Sequence, residues 1–228
     1  MKFHNFLVLF VVSALFVGCA KPPLSKDAAT SLRNSKVAVA YVQSEKKIHY
    51  QEEVYKVLWI ETRTKDVSFE GLWDIDTDLS AYIAPRIGKL GLNAVSLQDV
   101  VSAQEIKSLH EAIKGGNRTE PLVLSDGLRS KLMDSGIGYL VTLNSSQIFV
   151  NTQIGVKVAS AFPWLYVQDI QSNKQLYGDS FPCGGHLKVE KNIREIENNN
   201  LALLKSSMKE WLDASISESM PKRLGLVE

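Results

Sequence analysis

The chain has 228 residues, 26 Lys and Arg against 25 Asp and Glu, and 45% hydrophobic residues. That balance excludes a protein built chiefly to neutralise phosphates, because nucleic-acid affinity draws on clustered cationic side chains, and the apolar content excludes a wholly disordered chain. Two cysteines, Cys19 and Cys183, exclude a disulfide-dense small protein and a four-cysteine zinc site.

Residues 1–18 read as an export signal. Lys2 and His4 form a short basic start, and Phe6 to Val17 gives twelve residues interrupted only by Ser13 and Ala14. Such a run is too short to cross a hydrocarbon core as a helix, which takes about 20 residues. It ends on Leu15-Phe16-Val17-Gly18-Cys19-Ala20. This segment resembles the lipobox of bacterial lipoproteins, in which a small residue precedes the cysteine that becomes lipid-linked. Gly18 and Cys19 match the pattern, and Phe16 stands where Leu is usual. The resemblance implies cleavage between Gly18 and Cys19, diacylglycerol and palmitate on Cys19, and, with Ala20 rather than Asp next in line, the outer membrane. It would leave Cys183 as a lone thiol.

Residues 19–35 contain Pro22-Pro23 and small polar side chains without a sustained apolar period, and are expected to be a flexible tether. Its sixteen residues after Cys19 would extend to at most ~55 Å, or roughly 20 to 25 Å as a coil. Residues 36–228 are expected to form one periplasmic domain.

In that domain, residues 36–42 (KVAVAYV) read as the opening strand. Residues 48–69 mix strand-like pieces, with 54–62 the most convincing. Residues 76–91 read as a helix capped by Asp76 or Thr77, with Pro85 inside it and Gly91 closing it. A short strand is expected at 94–97, a second helix at 97–113, and a third at 125–135 carrying Leu128, Leu132 and Met133. Strands follow: 139–143, a strictly alternating run at 147–162, and a hairpin of 165–170 with 175–181. Leu201, Leu204, Met208, Trp211, Leu212 and Ile216 mark a long C-terminal helix. The fold class is thus α/β or α+β, a single domain with a mixed sheet and helices packed on it. Its opening strand KVAVAYV, the piece LSAYIAPRIGKLGLNAVSL and the strand GYLVTL resemble the small periplasmic domain of the CsgG, TolB amino-terminal and LpoB type.

Sites of chemistry are few. No HExxH, GxSxG or P-loop occurs, and no cofactor, metal or nucleic acid is expected. Among the histidines, His110 lies on the second helix without a metal-binding neighbour four residues away. Cys183 and His186, in Phe181-Pro182-Cys183-Gly184-Gly185-His186, could form a reactive thiol pair, against the alternative of a Gly-rich turn with a partly buried thiol. Ile148, Val150, Ile154, Val156 and Val158 share one parity of an eleven-residue stretch, close to the ~9 to 11 residues of a membrane strand. By resemblance to CsgG that stretch could enter a membrane. Phe69, Trp73, Trp164 and Tyr166 could form a binding patch or belong to the core. Asn117-Arg118-Thr119 matches a glycosylation sequon that means little in a bacterial lipoprotein.

The leading expectation is a non-enzymatic outer-membrane lipoprotein, anchored through Cys19, acting as a periplasmic assembly, scaffold or accessory factor with an envelope protein partner. Its rivals are a homo-oligomeric CsgG-like secretion channel and a hydrolase or redox protein using Cys183 and His186.

Overall fold

The computed structural model describes residues 21–56, 59–115, 121–153, 156–161, 163–181, 183–186, 196–197 and 199–227. The signal segment, Gly18 and Cys19, Ile154 and the 117–119 sequon lie outside the described residues.

The chain enters through helix α1 (Lys26–Arg33), capped by the Ser25 hydroxyl, which accepts from the Ala28 N–H at 3.3 Å. Leu24, Ala29 and Leu32 are buried, and the Leu24 N–H donates to the Arg223 carbonyl at 3.0 Å. The expected tether at 19–35 is therefore corrected: the folded body begins by Leu24, because three apolar side chains among polar ones suffice to seat one short helix on the domain. Strand β1 (Lys36–Gln43) follows and is buried along nearly its whole length. A run of Val, Ala and Tyr without alternation is what a strand covered on both faces requires. Next come β2 (Lys47–Tyr55) and β3 (Ile60–Ser68), an antiparallel hairpin. Its tip falls within 54–62, the stretch read as the best strand, since β-branched and aromatic residues there favour extension without saying where the chain reverses.

Helix α2 (Ile75–Gly88) is capped by Asp74, not by Asp76 or Thr77, and buries Ile75, Leu79, Ile83 and Ile87 along one face. Pro85 lies inside it and the helix runs past it to Gly88. Gly91, at φ 88°, then turns the chain where a side chain would be strained. Strand β4 (Asn93–Ser96) leads to a 3-10 turn (Leu97–Asp99), α3 (Ala103–Gly115) and α4 (Asp126–Asp134). The second helix thus starts six residues later than expected, where Glu105 accepts hydrogen bonds from both the N–H and the hydroxyl of Ser102. Leu128 and Leu132 of α4 are buried, whereas Met133 is exposed.

Strands β5 (Ile137–Ser145), β6 (Ile148–Gln153), β7 (Val156–Ala161), β8 (Trp164–Asp169), β9 (Lys174–Ser180) and β10 (Cys183–His186) come next. A 3-10 turn (Asn199–Leu201), α5 (Ala202–Glu218) and the short α6 (Met220–Arg223) complete the described chain. The β8–β9 hairpin and the long C-terminal helix agree with the sequence expectation.

Two five-stranded mixed sheets result, ordered β4-β1-β5-β8-β9 and β10-β7-β6-β2-β3. The fold is α+β, with helices packed on mixed sheets. The two strand orders run in step. Strands β1 and β2, β5 and β6, β7 and β8, and β9 and β10 are successive in the chain, and each pair occupies the same rank once the second order is read from β3 to β10. The sheets are therefore two halves of one set of long strands folded across a common crease. Hydrogen bonds bridge it: Ser44 N–H to the Ser145 carbonyl (2.8 Å), Glu45 N–H to the Ser146 carbonyl (2.9 Å) and Phe181 N–H to the Pro163 carbonyl (2.6 Å).

The main core fills the inside of the bend. Val37, Val39, Val141 and Val167 of the first sheet meet Ile48, Val150 and Ala159 of the second over α2 and α5. A second core lies on the opposite face of the first sheet, where Ala38, Ala40 and Leu140 meet Leu109, Leu128 and Leu132 from α3 and α4. Each Leu or Ile so buried contributes roughly 1.5 to 3 kcal/mol.

A buried polar cluster pins the crease to the start of α2. Asp76, only 6% exposed, accepts from the Gln43 N–H at 2.6 Å and from Lys46 Nζ. Ser80, one turn on, accepts from the Tyr41 N–H at 2.8 Å and donates to the Asp76 carbonyl at 2.5 Å. Gln98 Nε2 donates to the Asp76 carbonyl at 3.2 Å and to Ser80 Oγ at 3.1 Å. Replacing Asp76 with Ala strands the Gln43 N–H and removes the counter-charge of Lys46, and is expected to cost about 3 kcal/mol in denaturant unfolding. Lys46→Met, at a side chain 30% exposed, should cost clearly less.

Candidate functional site

The structure separates the two members of the expected thiol pair. Residues 183–186 form β10, not a turn, paired antiparallel with β7 from Cys183 opposite Ala161 to His186 opposite Val158. Successive side chains of a strand alternate faces, so positions three apart point to opposite sides. Cys183 faces the main core at 2% exposure, and His186 is exposed. Burial pushes the Cys183 thiol up to about 12. Neither a shared metal nor activation of the thiol by His186 fits this arrangement. Among the described residues, no group of three or more His, Cys, Asp or Glu is placed to hold a metal ion.

The paired glycines have a packing reason. A Cβ on Gly185 would stand 2.3 Å from Trp211 Nε1, and one on Gly184 would stand 2.9 Å from the Ala159 carbonyl oxygen. Gly185 lets the indole of α5 lie directly on the strand.

The stretch read as one long alternating strand is a hairpin. Strands β6 and β7 pair antiparallel from Ile148 opposite Ala161 to Gln153 opposite Val156. Ile148 and Val150 are fully buried in the main core, and beyond the reversal the inward parity changes to Ala159 and Ala161, leaving Val158 half-buried on the other face. The single-parity set of Ile148, Val150, Ile154, Val156 and Val158 is thus corrected, because the alternation in the sequence ran through a chain reversal. Of the four aromatics, Phe69, Trp73 and Tyr166 are buried and Trp164 is half-buried, stacked on Tyr166 at 6.4 Å. They belong to the packing and not to an exposed binding patch.

Two features were missed by sequence reading. His110 approaches Asp76 at 3.9 Å, extending the crease cluster. Periodicity placed Asp76 near a helix start and could not tell a solvated cap from a buried clamp. Burial, followed by the neighbouring Cys183 and Asp76, drives the Tyr41 phenol far above its ordinary range, so it stays a neutral donor to Gln43 Oε1 at 3.1 Å. The cluster is a set of hydrogen-bonded donors and acceptors with no free nucleophile in it.

The second feature is a groove of about 340 Å³ between α2 and α5, lined by Arg86, Lys89, Leu90, Asp213, Ile216 and Ser217. The Arg86 guanidinium lies 3.3 Å from the Tyr82 ring centroid and donates to Asp213, which also accepts from the Tyr82 hydroxyl at 2.8 Å. Burial alone would raise the Asp213 carboxyl, but the hydrogen bonds from Arg86 and Tyr82 hold it below its usual range. Arg86 and Asp213, two of the groove's charged side chains, are thus occupied by one another.

Exposed apolar side chains lie elsewhere: Trp59 and Ile60 at the β2–β3 tip, Leu72 before α2, Met133 on α4, and Val123, Leu176 and Val227.

No protein-family model matches the chain, and no curated protein matches it. Solved structures are similar at low sequence identity. The hypothetical protein CT253 from Chlamydia trachomatis is 14% identical, with 84% of this chain and 99% of that one covered at a TM-score of 0.46. Protein XCC0632 from Xanthomonas campestris is 8% identical, covering 84% and 85% at 0.44. Lipoprotein GNA1162 from Neisseria meningitidis is 11% identical, covering 75% and 93% at 0.38. One of the three is thus described as a lipoprotein, at a likeness that assigns this chain neither a family nor an activity.

Cys183 is expected to react with a soluble maleimide at neutral pH roughly a thousandfold more slowly than an unperturbed thiol, and to recover in urea. The folded thiol ionises later than the unfolded one, so its contribution to stability is complete below about pH 8.5 and is lost as pH rises from there toward 12. Cys183→Ala should flatten that part of the pH profile. Gly185→Ala should displace Trp211, costing roughly 1 to 3 kcal/mol and shifting its fluorescence.

Proposed function

We infer that this chain is a non-enzymatic outer-membrane lipoprotein whose periplasmic domain serves as an assembly, scaffold or accessory factor for a cell-envelope complex. The observation that carries the reading is Gly18-Cys19 at the end of a twelve-residue apolar run, in register with a lipobox. Anchoring by two or three acyl chains, each buried CH₂ worth ~0.8 kcal/mol, holds the domain at one surface. Confinement there raises its effective concentration toward envelope partners, so a modest interface suffices. Among the described residues no helix is long and apolar enough to cross a membrane, which leaves β-strand insertion untouched.

The channel alternative draws less support, because Ile148 and Val150, the side chains it would turn to lipid, lie in the main core. The enzyme alternative draws little, with Cys183 buried and His186 on the other face of β10.

The test is the native gene product in membrane fractions. Expected is a Cys19 carrying acyl chains by mass spectrometry of the amino-terminal peptide, and release only by detergent. A Cys19→Ser variant behind an ordinary export signal should appear as a soluble periplasmic monomer; retention of that variant in the outer membrane as a detergent-resistant oligomer would instead establish the channel.

A further inference from the structure

Cys19 is separated from the described body by a single residue, since Lys21 is already placed: its Nζ donates to the Gly178 carbonyl on β9 at 2.7 Å. Two residue steps span about 7 Å at most. Three residues on, Leu24 is buried and bonded to Arg223, so the segment has no slack with which to lift the domain away from an anchored Cys19.

Three exposed apolar side chains border this entry point. Leu176 lies two residues before Gly178 on β9, at the irregularity where β8 and β9 lose register. Val123 is carried beside it, because the neighbouring Leu122 N–H donates to the Gln175 side chain at 2.8 Å. Val227, 51% exposed, follows Gly225, whose missing Cβ would stand 2.9 Å from the Leu24 carbonyl oxygen. Among the described residues β9 is also an edge strand, and a covering surface would shield such an edge from pairing with another chain.

We propose that the β9 edge with Val123, Leu176 and Val227 is the face that rests on the lipid bilayer, so that the domain lies flush against its membrane in a fixed orientation. The proposal rests on acylation of Cys19. The occupant is lipid because ~7 Å of chain cannot accommodate a protein layer between this face and the headgroups. The acyl chains supply the affinity, and the apolar fringe sets the pose. The β2–β3 hairpin, nine paired positions long and so about 30 Å from base to tip, stands on the other edge of the set of strands, directing Trp59 and Ile60 away from the anchor.

The test uses the full acylated protein in phosphatidylethanolamine–phosphatidylglycerol vesicles containing a spin-labelled lipid quencher. A fluorescent label is placed at Leu176→Cys, Val227→Cys or Ile60→Cys, each on Cys183→Ala, after checking that the far-ultraviolet spectrum and thermal midpoint match the unlabelled protein. With Cys19 acylation verified by mass spectrometry, quenching at positions 176 and 227 several-fold stronger than at 60 is the expected result. Equal quenching at all three, or stronger quenching at 60, overturns the proposal while leaving the lipoprotein reading intact. Shielding of 176 and 227 in vesicle-free, unacylated protein also overturns it, since a second copy or a protein surface would then cover the face. A Cys19 without acyl chains overturns both readings.

Discussion

The bend in the strands depends on hydrogen bonds that continue through it. A sheet creased across four long strands would expose its backbone at the fold line, and unpaired buried amides cost about 1 to 3 kcal/mol each. Here the Ser44, Glu45 and Phe181 amides keep backbone partners across the crease, and the Gln43 amide takes the Asp76 carboxylate in place of one. The first turn of α2 therefore serves as part of the sheet's hydrogen-bond ladder. Its hydrophobic face, from Ile75 to Ile87, is positioned by the same contact, and the main core between the two sheet halves follows from that placement.

The opposite pole is held by a different kind of closure. Arg223 contacts Asp179 on β9 and donates to the Tyr177 hydroxyl at 3.4 Å, while Arg33 of α1 donates to the Leu226 carbonyl. The first and last described segments are thereby fastened to one edge strand and to each other. Charge-assisted bonds of partly buried arginines carry more than exposed pairs do, and their planar fork fixes direction as well as distance. The two poles divide the domain into an end fixed by its termini and an end presenting a long, largely exposed hairpin.

Much of this was legible in the sequence, and two of the misses share one cause. The opening strand, the third helix, the β8–β9 hairpin and the C-terminal helix announce themselves through uninterrupted apolar runs, a Ser cap or turn residues such as Ser172-Asn173. Chain reversals without such residues did not. The tip beyond Tyr55 reads as strand because Val, Leu, Trp and Ile favour extension, and the β6–β7 reversal hides inside an unbroken alternation. Alternation reports that a side chain faces in or out but carries no mark of a chain reversal, and beyond this one the inward parity passes from Ile148 and Val150 to Ala159 and Ala161. The Cys183–His186 pair was legible as a motif and illegible as geometry, since its meaning turned on whether the segment was turn or strand. Asp76 looked like one more acid near a helix start. Its burial depends on Gln43 and Lys46, thirty residues and more away in the chain.

The Leu24–Arg223 hydrogen bond sets an order of events during folding. Two segments from opposite ends of the described chain complete one another, so the seat of α1 exists only once α6 has been made and has docked. A contact between residues so far apart in the chain carries nearly the full entropy of closing the loop between them. Loss of the last short helix would therefore be felt at the first one, where Leu24 would lose its partner and α1 its support.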